Sequence, residues 1–166
     1  MMKQLLLVRH AKSDWDNPDL KDFDKPLNKR GSVNAPEMAE RLFKKNIIPQ
    51  QLVSSPALRA ISTAQSFAKI WGVPESDIQQ QTSIYEASFT ILLNVINNLD
   101  GRFDFVALFG HNPGLTNLVA HLSDQGVYNI PTCGVVLLEF DFDSWKYISG
   151  STGQLVLFDY PKNPNI

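Results

Sequence analysis

The sequence contains a single cysteine, Cys133. That excludes an intramolecular disulfide and any zinc site built on paired cysteines, and it fits a reducing compartment. Long apolar runs are missing as well. The N-terminal run, Leu5 to Val8, is too short for the apolar segment of a signal peptide. No stretch approaches the roughly 20 apolar residues that cross a bilayer. Positive charge is not in excess: 15 Lys and Arg stand against 17 Asp and Glu, for a formal net charge of −2. A general nucleic-acid binder needs a basic footprint, so any attraction for anions must come from a local cluster. There is no internal repeat and no low-complexity segment. These absences point to a cytoplasmic chain with neither nucleic acid nor membrane as partner.

What is there is an ordinary globular composition, 43% hydrophobic and 19% charged over 166 residues, enough for one domain with a substantial core. Residues 1–160 are expected as that domain, and 161–166 as a short exposed tail closing the Pro/Asn-rich "DYPKNPNI". Strand and helix signals alternate, which predicts an α/β fold with a largely parallel central sheet. A first strand is expected at 3–8, a helix near 32–45, a strand in "QQLVSS", and a helix opened by Pro56 and running to Trp71. "SDIQQQTSIY" carries a weak edge strand. "ASFTILLNVINNL" has apolar residues at helical spacing, "DFVALFG" reads as a buried strand, and "NPGLTNLVAHLSD" as the helix after it. "CGVVLLEFDF" and "GQLVLFDYP" predict an antiparallel hairpin at one side of the sheet.

Ligands of open α/β sheets bind beyond the carboxyl ends of the strands. Three strand-to-helix junctions in this chain send cationic or imidazole groups to that edge. "LLLVRHAKSDWD" delivers Arg9 and His10, "VSSPALRAISTAQ" places Arg59 in the first turn of a helix, and "VALFGHNPG" puts His111 directly after a strand. Helix N-termini favour anions, and guanidinium forks suit phosphate oxygens. Taken singly, an Arg in a first helical turn is an ordinary surface residue and a His after a strand an ordinary structural one. The coincidence of three junctions at one edge is what makes a site. His121 is expected to serve packing or surface, Cys133 to be a small buried residue, and Asp141 and Asp143 to sit in a solvated turn. No metal or cofactor is expected, because no third ligand stands near that Asp pair.

The ordered set "LLLVRHAKSDW", "VSSPALRAISTAQ" and "FGHNPGL" resembles the histidine phosphatase superfamily, whose signature is Arg-His-Gly or Arg-His-Ala after the first strand. The short chain and "DFDKPLNKRG" resemble its small branch, the SixA-type phosphohistidine phosphatases. The resemblance runs from about residue 4 to beyond residue 115. It implies a single-domain, three-layer sandwich of the phosphoglycerate mutase-like fold with a minimal cap. It also implies that His10 is the nucleophile and passes through a phosphohistidine intermediate, and that Arg9, Arg59 and His111 hold the phosphate oxygens, with His111 also catalytic. Ser13 is a candidate hydroxyl donor to the phosphate. Glu86, in "SIYEAS", falls where the family places an acid near the leaving group; its other reading is a carboxylate beside a helix N-terminus.

One position departs from the pattern. Related mutases carry Asn where Asp16 stands, and a carboxylate there would repel phosphate, so Asp16 is expected to face away. The stretch between Arg59 and Glu86 is too short for the helical insertion that covers the pocket in larger members. An open pocket suits phosphohistidine on a signalling protein. The alternatives are a small phosphomonoester or phosphoanhydride substrate, and, from another class, a non-catalytic phosphate-binding module. The joint presence of His10 and Glu86 argues against the last.

Overall fold

Leu5, Leu6, Leu7 and Val8 are all completely buried in the computed structural model, which describes residues 2–164. A strand without an exposed face needs cover on both sides. That strand, β1 (Lys3–Arg9), lies inside a six-stranded sheet with β2 (Gln51–Ser54), β3 (Gln79–Gln80), β4 (Phe105–Gly110), β5 (Val135–Phe140) and β6 (Gly153–Asp159). The order is β3-β2-β4-β1-β5-β6. The pairs β2–β3, β2–β4 and β1–β4 are parallel, whereas β5 runs antiparallel to both β1 and β6. The expected hairpin therefore closes one side of the sheet, and the weak strand, β3, closes the other.

Successive side chains of a strand point to opposite faces. Leu5 and Leu7 accordingly pack with Leu92, Val95 and Ile96 of α3 (Phe89–Asn97) and with Leu115 and Leu118 of α4 (Gly114–Leu122). Leu6 and Val8 pack with Ala35, Met38 and Leu42 of α1 (Lys29–Lys44) and with Ala64 and Phe67 of α2 (Leu58–Trp71). The result is a three-layer sandwich. Phe67 is wholly buried and meets Trp71 and Phe109 edge-on. Its truncation to Ala would cost about 3–5 kcal/mol.

Helix α1 starts earlier than its apolar pattern predicts, because Asn28 caps it by accepting from the Gly31 N–H at 2.8 Å. Helix α2 begins two residues beyond Pro56, and the Ala57 N–H is taken by Ser55 Oγ at 3.2 Å. Asp159 is 1% exposed and paired with Arg41, whose guanidinium also donates to the carbonyls of Tyr160 and Pro161. The chain after β6 is pinned to α1 because buried carbonyls and a buried carboxylate need donors. Residues 165–166 of the expected tail lie outside the described residues. Among the described residues, no helix is long and apolar enough to cross a membrane.

Candidate active site

Sheet register builds the site. Arg9 pairs with Gly110 across β1 and β4, and Ser54 pairs with Phe109 across β2 and β4. The three strands thus end level with one another, and their next residues emerge side by side. The His10 N–H donates to Gly110 O at 3.1 Å, and the rings of His10 and His111 stand 5.3 Å apart. Arg59, in the first turn of α2, closes the third side. The loop before β5 is clasped over β1: Cys133 donates to the carbonyls of Arg9 and His10, and Ile130 O accepts from Arg9 Nη1 at 2.8 Å and from Asn112 Nδ2 at 2.9 Å. The outcome is a cavity of about 370 Å³ lined by Arg9, His10, Ser13, Arg59, His111 and, unforeseen from the sequence, Asp22.

The two rings are held differently. His10 Nδ1 lies 2.8 Å from Ala11 O. A carbonyl can only accept, so Nδ1 carries the hydrogen and the neutral ring keeps its lone pair on Nε2. His111 Nε2 lies 2.8 Å from Ser55 Oγ, and that oxygen already accepts from Ala57 N–H. That oxygen has a second lone pair and one hydrogen, so it can accept from His111 Nε2 or donate to it; His111 Nδ1, on the other side of the ring, is buried with no partner. Arg9 Nε is a buried N–H without a partner. Buried donors are satisfied almost everywhere in folded proteins. Both unpartnered nitrogens belong to residues that line the one cavity.

Electrostatics agree. The His10 pKa falls to about 4, mainly through burial and further through the charges of Arg59 and Arg9, against the opposing pull of the Ala11 carbonyl and Asp22. His111 falls to about 3, again through burial first and then through His10 and Arg59. Both rings are therefore neutral at physiological pH. Asp22 Oδ2 accepts from Arg59 Nη2 at 2.9 Å and from the Tyr85 hydroxyl at 2.6 Å. Burial acts to raise the Asp22 pKa, but those two bonds outweigh it and hold the carboxyl below its usual range. Arg59 also donates through Nη1 to Asp22 O. With five N–H groups in the guanidinium, donors remain for an anion.

Among the other expected residues, Ser13 is buried in the wall of the cavity. Asp16 is exposed and outside the lining, in keeping with the expectation that it faces away. Glu86 is not in the wall that carries His10. It lines an adjoining cavity of about 380 Å³ that shares His111 and Asn112 with the first. Its backbone is left-handed, with φ at 56°, a conformation non-glycine residues rarely adopt. Gly114 allows that loop to approach: a Cβ there would collide with Ala87 O. His121 packs on Phe89 with ring centroids 4.8 Å apart, and Asp141 and Asp143 are exposed. Among the described residues, no group of three or more His, Cys, Asp or Glu is placed to hold a metal ion. Cys133 is fully buried, and burial pushes its thiol up to about 12.

Four contributors escaped sequence reasoning: Asp22, Ser55, Tyr85 and Trp15. Asp22 stands in a loop with Asp14, Asp16, Asp19 and Asp24, so nothing in spacing distinguishes it. Trp15 is 63% exposed at the cavity mouth, with Lys25 Nζ 4.4 Å from its ring centroid. Between Arg59 and Glu86 the chain supplies only α2, two 3-10 turns and the short β3, so no added helix covers the mouth.

The model of the histidine phosphatase superfamily (branch 1) matches residues 5–95, more than half of the chain and a span that includes Arg9, His10, Arg59 and Glu86. The chain belongs to the histidine phosphatase superfamily. A protein of Arabidopsis thaliana, described as uncharacterized and chloroplastic, is 30% identical over 152 residues, 87% of this chain and 69% of that protein. The crystal structure of the putative phosphohistidine phosphatase SixA from Agrobacterium tumefaciens is 27% identical, with a TM-score of 0.78 over 96% of this chain and 98% of that one. The structure of the protein histidine phosphatase SixA complexed with tungstate superposes with a TM-score of 0.81 at 19% identity, covering 95% and 97%. Within the histidine phosphatase superfamily, then, the chain is of the small SixA type, with a phosphoglycerate mutase-like fold, and is a phosphatase acting on phosphorylated substrate.

Proposed function

We propose that this histidine phosphatase removes the phosphoryl group from phosphohistidine on a signalling protein in the cytoplasm, through a phosphohistidine intermediate on His10. The observation that carries the reading is the bond from His10 Nδ1 to Ala11 O, which leaves Nε2 as a neutral nucleophile in a cavity lined by Arg9, Arg59 and His111. Nε2 attacks phosphorus in line, and the bond from phosphorus to the substrate imidazole breaks. Arg9, Arg59, His111 and Ser13 take the equatorial oxygens, which carry the charge of the transition state. Burial first, and then the same positive surroundings, keep His10 unprotonated for attack. Water then attacks the phosphoenzyme, releases phosphate and restores His10. Glu86 supplies the proton to a basic leaving atom and removes one from the attacking water. An open mouth rimmed by exposed Trp15 suits a side chain presented on a protein surface.

Phosphohistidine protein, phosphoserine and sugar phosphates assayed side by side test the substrate. The expected order puts phosphohistidine first, and faster turnover of a sugar phosphate would overturn it. Glu86→Gln tests the acid. An imidazole leaving group accepts a proton near neutral pH, whereas an alkoxide needs one delivered. Phosphoenzyme formation from alkyl phosphates should therefore slow by about 10²-fold or more, and formation from phosphohistidine far less. Equal losses in rapid-mix experiments would remove Glu86 from that role.

A further inference from the structure

A second cavity, of about 320 Å³, adjoins the catalytic one and shares Lys12 and Thr132 with it. Its wall carries three cations, Lys12, Arg30 and Lys162, and no acidic residue. The chain as a whole is slightly acidic, so this clustering runs against the average. All three cations are exposed, and none forms an ion pair among the described residues. They come from three separate segments, each fixed by backbone contacts. Lys12 O accepts from Asn28 N–H at 2.9 Å, and a Cβ on Gly31 would collide with that same carbonyl. The glycine thus lets the first turn of α1, with Arg30, close against Lys12. Arg41, two turns on from Asn34, binds the carbonyls of Tyr160 and Pro161 and so holds Lys162 beside the same helix.

We infer that this cavity is a docking subsite for the carboxylates of an acidic segment next to the phosphorylated residue of the substrate protein. The inference rests on the proposed phosphoprotein reading and names what recognises that protein. Pro131, Tyr160 and Pro161 give the cavity apolar walls for the stems of acidic side chains, while the cations meet their ends. Because the cavity joins the catalytic one through Lys12, a chain lying across both places its phosphoryl group at His10. Charge of this kind acts on encounter and on specificity.

The test uses the full chain and its Arg30→Ser/Lys162→Ser double variant. Both side chains are exposed, and thermal melting checks that the variant folds. Binding of a fluorescent hexaglutamate peptide is measured first. Hydrolysis then compares two phosphohistidine peptides that differ only in Glu or Gln flanks. Each exposed ion pair is worth about threefold, so the variant should bind hexaglutamate about tenfold more weakly. KM for the Glu-flanked peptide should rise by a similar factor, with kcat and the Gln-flanked peptide unchanged. Unchanged hexaglutamate binding, or equal KM changes for both peptides, would overturn the subsite. So would a variant that loses affinity for pyrophosphate and keeps hexaglutamate. If the wild type hydrolyses neither peptide but the variant still loses hexaglutamate binding, the substrate reading fails and the carboxylate subsite stands.

Discussion

His10 and His111 follow residues paired across neighbouring strands, and both rings are buried and neutral, yet they are wired in opposite senses. His10 is tied through Nδ1 to a carbonyl of its own loop, whereas His111 is tied through Nε2 to the Ser55 hydroxyl before α2. The first wiring leaves a lone pair on Nε2; the second leaves Nδ1 unpartnered, and because a hydroxyl can donate to Nε2, that Nδ1 is able to carry the ring hydrogen. In the proposed mechanism one strand exit presents the nucleophile and its neighbour a donor, from the same amino acid in the same kind of junction. What a histidine does is decided by the group that holds its other nitrogen.

Removing each ring should break that comparison most sharply. His10→Ala should lower turnover by about 10⁴-fold or more, as loss of a covalent nucleophile does. The acid-labile, base-stable phosphoenzyme should vanish with it, while circular dichroism stays native; label on serine or aspartate would refute the assignment. His111→Asn should cost about 10²–10³ in kcat/KM, the scale of one lost oxyanion donor. Its phosphoenzyme should still form, more slowly.

Acid should act on both rings together. Their pKa values, about 4 for His10 and about 3 for His111, lie below the ordinary 6.5 that the unfolded chain restores. The unfolded state binds more protons in that window, so these groups favour the fold fully above pH 6.5 and progressively less as pH falls toward 4. Between pH 7 and 5 each should cost about 2 kcal/mol of stability. Urea titrations at the two pH values should show this loss, and His10→Gln should show a smaller one; an identical slope in the variant would contradict the buried neutral ring. The smallest expected effect is that of Ser55→Ala, which frees His111 Nε2. About tenfold in kcat/KM should be lost, with His10 phosphorylation intact. A loss as large as that of His111→Asn would make the hydroxyl itself part of the anion site.

The apolar runs at Leu5–Val8, 105–109 and 135–138, with the more exposed strand 153–159, were enough to predict the sheet and its antiparallel pair, because burial on two faces or one leaves a direct mark on residue type. Arg9, His10 and His111 were legible because they stand at or directly after a strand end, and Arg59 because it opens the helix after one, so chain position translates into place. Asp22 was not, since it sits in a loop of five aspartates and only folding selects the one that meets Arg59 and Tyr85. Nor was the pinning of the chain after β6, which depends on Arg41, more than a hundred residues away.

The sequence by itself determined the α/β sandwich, the edge at which chemistry gathers and the four cationic and imidazole groups there, because hydrophobic period and strand ends are local properties of the chain. Only the tertiary structure decided which nitrogen of each histidine is free, that Asp22 faces Arg59, that Glu86 stands in a neighbouring cavity and that Lys12, Arg30 and Lys162 share a wall. Those outcomes depend on hydrogen bonds and close approaches between segments far apart in sequence, where residue type constrains little and packing geometry chooses the partner.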